Sequence, residues 1–242
     1  MPTTPTTILP AGQRPLPTLV TLLPFILFLE IALLLGGPSL TAARVLAHEH
    51  IGQALSFFGL SPTFVLHATG FVVVAILLTW HVLTGGPWTV RVSEVLKLLL
   101  EGCIAIAPLL AAAAFFGMLR ETALAAPTSI VPNSTVDAIA LAIGAGLSEE
   151  LLFRMVGVAF VHWILSDICG VKTATTLIVA VIATAAAFTL YHSPSSLSSA
   201  SIVFVAAASL YLGVLYVLRG FAVVVIAHAG YDAIVLLSLD VN

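Results

Sequence analysis

A chain of 242 residues has room for one domain. Hydrophobic residues make up 60% of it and charged residues 8%, against about 45–50% apolar in soluble domains, so a water-solvated globule is excluded. A net charge of −3, with only eight Lys and Arg, leaves no basic surface for nucleic acid.

Apolar runs fall near 16–36, 62–84, 95–118, 135–165, 172–191, 201–218 and 221–239. They are separated by Gly36-Gly37-Pro38, Gly85-Gly86-Pro87, the stretch from Ala126 to Asn133, Ser193-Pro194-Ser195-Ser196, and Arg219-Gly220. A crossing helix needs about 20 apolar residues. The sequence therefore predicts an all-α, polytopic bundle of seven to eight transmembrane helices, a single integral membrane domain over 1–242 set in a lipid bilayer. The first run exceeds the roughly 7–15 residues of a signal-peptide core, and no clear small-residue cleavage site follows, so it is expected to remain as a helix. Residues 40–60 carry Arg44, His48, Glu49 and His50 and read as an interfacial helix or loop rather than a further span.

The run 135–165 is too long for one untilted crossing. Gly144 and Gly146 predict a break, with Ser148 capping a new helix and Glu149 and Glu150 in its first turn, where the positive helix end favours acids. With seven spans and a cytoplasmic N-terminus, Arg14, Arg91, Lys97, Lys172 and Arg219 lie inside and Arg44 and Arg120 outside, the orientation that basic loops favour. Small residues from Ala183 to Ala187 are expected to let neighbouring helices approach. Cys103 and Cys169 lie in different runs without CxxC spacing and read as packing residues, not as a disulfide.

Three polar clusters interrupt the late runs. The first is Glu149, Glu150 and Arg154. A charge near a bilayer centre costs about 2.5–3.5 kcal/mol on insertion scales, so charges held there are functional candidates by default. Glu150 and Arg154 are four apart and share a helix face, whereas Glu149 is turned away by about 100°. The second cluster is Phe188 and His192, the third His228 and Asp232, each again at helical spacing. Two Glu and two His from three helices, with Asp232 in support, suit hydrolysis. A carboxylate in a low-dielectric pocket makes a general base, and imidazoles share protons, bind a metal or donate to an oxyanion.

These motifs, Glu149-Glu150-x-x-x-Arg154, Phe188-x-x-x-His192 and His228-x-x-x-Asp232, resemble those of the CPBP intramembrane proteases. That is the CAAX protease and bacteriocin-processing (Abi) family, related to the Ras-converting CAAX endopeptidases. The resemblance covers roughly 135–240, where a catalytic core is expected, and nothing in 1–134. It implies an intramembrane endopeptidase acting on a peptide or protein substrate, prenylated in the CAAX-type case. By this resemblance Glu149 activates water with His192 assisting, His228 and residue 232 stabilise the oxyanion or help bind a metal, and Glu150 and Arg154 orient the site. The family has been described both as metal-dependent and as a metal-free glutamate type. A divalent metal such as zinc on Glu149, His192, His228 and Asp232 is thus one reading and a metal-free site the other. Asp232 stands where the CAAX-cleaving branch typically has Asn. An ionised Asp cannot donate to an oxyanion; it could ligate or orient a metal, or donate if protonated, and the substitution makes a metal more plausible.

Blander readings stand beside these. The Glu149–Glu150–Arg154 set reads alternatively as a structural ion-pair network, and the whole cluster as the path of a non-hydrolytic proton or ion carrier or an immunity-type factor. Glu30 and Glu101 read first as interhelical hydrogen-bond partners. His67 and His81 read as packing or interface residues, Phe188 as packing beside the site, and His162 beside Trp163 as part of an interfacial belt. His48-Glu49-His50 reads as surface, since adjacent helical residues point apart.

Overall fold

The computed structural model of the chain describes residues 13–35, 62–117, 134–192 and 198–239. In lipid every backbone N–H and C=O must find its partner within the segment, and a helix does this locally. The described apolar runs accordingly form seven helices and no strand. They are α1 Pro15–Leu35, α2 Pro62–Thr84, α3 Val92–Phe115, α4 Thr135–Ile168, α5 Thr173–Tyr191, α6 Ser199–Arg219 and α7 Phe221–Leu239. Each contains a stretch long and apolar enough to cross a membrane. Large apolar side chains such as Leu27, Ile31, Phe71, Leu83 and Ile104 face outward, as lipid contact requires. The protein is a multi-pass, all-α membrane protein. The segment with Arg44, His48, Glu49 and His50, and also Arg120, lie outside the described residues.

The core forms around α7. Every residue from Phe221 to Ala229 is buried, and the helix packs against α3 and α4. Two glycines make this possible. Gly220 adopts φ +90° and ψ 179°, a conformation open to glycine alone, and joins α6 to α7 in a single residue. Gly146 lets α4 close on α7: a Cβ there would lie 2.9 Å from Ala229 Cβ and 3.0 Å from Ala229 N.

The predicted break in α4 is absent. The helix is capped by Ser134, whose side chain accepts from Asp137 N, and it runs straight through Gly144 and Gly146. Ser148 lies mid-helix and donates to the Gly144 carbonyl at 2.6 Å. The glycines serve close packing, not chain reversal. The helix changes type instead, to π-helical over Leu151–Val158 and Trp163–Ile168 with one α turn, Ala159–His162, between. At 34 residues it is up to roughly 50 Å long at an α-helical rise, so it tilts or projects beyond an apolar layer of about 30 Å.

Polar residues outside the late clusters tie helices together. Arg14 binds Glu94 at 2.7 Å, fixing the start of α1 to α3. Glu101 on α3 accepts from both Nε and Nη2 of Arg219 on α6, with Lys97 at 3.9 Å, and so is an interhelical partner as expected. Glu30 likewise reaches a neighbouring helix, its Oε2 lying 2.6 Å from His67 Nδ1 on α2. His67 is therefore a hydrogen-bond partner of Glu30 across the α1–α2 contact. His81 is buried and meets Trp88 edge-on at 4.4 Å. Of the small residues on α5, Thr184 and Ala185 face the bundle while Ala183, Ala186 and Ala187 face out. Cys103 and Cys169 are free and exposed, contrary to the packing role read from sequence; thiols on outward helix or loop positions contact surroundings rather than core.

Candidate active site

Glu149 and Glu150 close the α-helical part of α4, at the step where its hydrogen bonding becomes π-helical. Such steps in helices recur at functional sites. The close approach at Gly146 brings these carboxylates to α7. Glu150 Oε1 accepts from His228 Nδ1 at 2.7 Å, both side chains being buried. The other Glu150 oxygen meets Arg154 Nε at 3.1 Å, the pairing expected from their spacing. This contact is ionic without good hydrogen-bond alignment, since both atoms lack an aligned partner among the described residues. Arg154 Nη2 instead spends its two protons on Ser209 of α6, reaching the carbonyl at 3.2 Å and Oγ at 3.0 Å. Its Cζ lies 4.7 Å from the centroid of Phe188, a cation–π geometry.

Glu149 faces the other way, as helical spacing requires, and meets both imidazoles. Its Oε2 lies 3.4 Å from His192 Nε2 and 3.7 Å from His228 Nε2. His192 ends α5, and its Nδ1 donates to the Phe188 carbonyl at 3.0 Å. With Nδ1 so engaged, a proton on Nε2 makes His192 an imidazolium facing the Glu149 carboxylate. Burial by itself lowers the His192 pKa, but the hydrogen bond and negative charge of Glu149 outweigh it and leave the group raised. The ring stacks on Phe188 at 4.1 Å and 24° and meets Tyr191 edge-on. Phe188 thus packs beside the site, as expected, and fixes the orientation of both His192 and Arg154. Asp232, one turn beyond His228 on α7, has Oδ2 3.4 Å from His228 Nε2.

All six sequence candidates, Glu149, Glu150, Arg154, His192, His228 and Asp232, therefore lie in one connected cluster. Its deep side is Glu150, Arg154 and Ser209, and its more open rim is His192 and Asp232, with side chains 18% and 26% exposed. Ser209 carried no sequence signal, because a single serine after Ala206-Ala207-Ala208 looks like any small packing residue. The metal reading of Glu149, His192, His228 and Asp232 gains no support among the described residues. Among the described residues no group of three or more His, Cys, Asp or Glu is disposed to hold one ion. His228 Nδ1 is held by Glu150, and its Nε2 is flanked by Glu149 and Asp232.

Buried carboxylates and imidazoles from α4, α5 and α7 thus meet inside a bundle of helices long and apolar enough to span a membrane. Residues 131–234 match the family model described as type II CAAX prenyl endopeptidase Rce1-like, and this region of the chain is similar to that family. The match runs from just before α4 into α7 and contains the whole cluster. That similarity supports, in general terms, a CAAX-type intramembrane endopeptidase with a peptide or protein substrate. Comparisons with curated proteins and with solved structures returned no match.

Proposed function

We propose that the protein hydrolyses a peptide bond by water activated at Glu149, without a metal. The observation that carries this reading is the position of Glu149 Oε2, within 3.4 and 3.7 Å of two imidazole Nε2 atoms in a buried site. A water held by Glu149 and His192 gives its proton to Glu149 as its oxygen adds to the scissile carbonyl carbon. The carbonyl oxygen takes the negative charge and accepts from His228 Nε2, whose ring is oriented by the Glu150 carboxylate at Nδ1. The C–N bond then breaks, and Glu149 passes its proton to the leaving nitrogen, yielding a carboxylic acid and an amine, which leave as carboxylate and ammonium after proton transfer between them. Donors aimed at the developing oxyanion in a dry site are commonly the largest catalytic contribution. Asp232 Oδ2 lies 3.4 Å from the same Nε2 and its charge favours the protonated ring; as a carboxylate it does not stabilise the oxyanion itself.

The site rim at His192 and Asp232 admits the substrate chain, and prenylated CAAX-type C-termini are the substrates to try first, given the family. The test is cleavage by purified protein in detergent. Glu149→Ala and His192→Ala each abolish cleavage while the protein stays folded, and turnover survives exhaustive chelation. Retained cleavage in both variants rejects the site. Proton flux into vesicles with no cleavage of any peptide replaces this reading with that of a carrier.

A further inference from the structure

Four buried groups form a continuous polar chain across three helices. Ser209 on α6 accepts twice from Arg154 Nη2, at 3.0 Å through Oγ and 3.2 Å through its carbonyl. Arg154 Nε faces Glu150 Oε2 at 3.1 Å, and Glu150 Oε1 accepts from His228 Nδ1 at 2.7 Å. Ser209 and Glu150 are fully buried, and Arg154 and His228 are nearly so. Arg154 Nη1 has no hydrogen-bond partner among the described residues. The guanidinium is therefore held on one side by Phe188, at 4.7 Å from its ring, and by hydrogen bonds only through Ser209. A planar guanidinium placed by a single amine group can pivot about it, so the Ser209 hydroxyl decides where Arg154, and through it Glu150, comes to rest.

We infer that Ser209 is a positioning residue of the reaction: by fixing Arg154 it holds the Glu150 carboxylate on His228 and so aims the His228 Nε2 donor. This rests on the proposed hydrolysis for its kinetic consequence, though not for its structural one. A serine hydroxyl suits the task because it adds a second acceptor beside its own carbonyl, and Nη2 has two protons to give. A residue that merely fills space would leave the proton on His228 Nδ1 undisturbed when changed for another of the same size.

The test compares wild type with Ser209→Ala and Ser209→Cys, the latter near in volume but a weak acceptor, in two measurements on the full-length protein in detergent. The first is the split between kcat and KM on a cleavable peptide. The second is the NMR resonance of the His228 Nδ1 proton in protein carrying labelled histidine. Expected is a fall in kcat of about tenfold or more with KM little changed, the size of effect that loss of one charge-assisted hydrogen bond brings. The His228 Nδ1 proton should shift upfield or exchange with water in both variants, while the His192 signal stays. An unchanged kcat and an unchanged His228 resonance in Ser209→Cys overturn the inference even if Ser209→Ala fails to fold. If wild type cleaves nothing, hydrolysis fails as the proposed function, and the His228 resonance alone then decides for or against the role of Ser209.

Discussion

At the scale of single residues, the cluster is organised by which atoms can donate. Carboxylates only accept, so the 2.7 Å contact to Glu150 requires a proton on His228 Nδ1. The same logic places a proton between His192 Nε2 and Glu149, because His192 Nδ1 already serves the Phe188 carbonyl. This has a consequence for stability. The His192 pKa is raised above its ordinary 6.5 in the folded protein, through the Glu149 hydrogen bond and charge acting against burial. A group whose folded pKa is raised stabilises fully below its unfolded pKa, and that contribution is lost as pH rises through the folded value. The thermal midpoint in detergent should therefore be flat at acidic pH above general acid unfolding and fall as pH rises from about 6.5. In His192→Gln this fall should be smaller. A midpoint that rises over this window would contradict the pairing. The residues of the site were legible in the sequence because charges in apolar runs stand out and helical spacing fixes which of them share a face. Ser209 was not, since it becomes polar machinery only when Arg154, 55 positions away, arrives beside it.

At the scale of helices, α4 and α7 carry the site, and their contact at Gly146 sets its dimensions. The sequence marked this glycine as a break because glycine disfavours helices in water. In lipid the helix persists, and the missing side chain is used for approach instead. Gly146→Ala puts a methyl within 3.0 Å of the Ala229 backbone, which cannot move aside as a side-chain tip would. Overpacking of this kind destabilises by about 1–3 kcal/mol. The expected outcome is a lower melting midpoint in detergent and a larger loss of cleavage than the melting shift explains, because Glu150 is levered away from His228. Wild-type melting and cleavage in Gly146→Ala would show that the approach is not needed. The change to π-helical hydrogen bonding after Glu150 had no signature in the sequence.

At the scale of the whole molecule, seven crossings set α1's start, the loop before α3, the turn from α4 to α5 and Gly220 on one side of the membrane. That side holds Arg14, Arg91, Lys97, Lys172 and Arg219, and we propose that it faces the cytoplasm, as basic loops favour. Cys169 lies there, exposed, while Cys103 faces out from within α3. A membrane-impermeant maleimide should label Cys169 in inside-out vesicles and not in right-side-out ones; the reverse pattern would invert the topology. The seven spans were nearly complete in the sequence, because hydropathy reports length and lipid exposure directly. What it could not report was that α7 sits at the centre, since a helix apolar on every face looks alike whether lipid or protein surrounds it. The central claim concerns what is gathered around that helix: a buried glutamate that takes a proton from water. The most direct test is the turnover of Glu149→Gln, which keeps the shape of the side chain and removes its basicity. The account predicts a protein that melts with wild type yet cleaves its peptide on the order of 10²–10⁴-fold more slowly. Wild-type turnover in Glu149→Gln would contradict it.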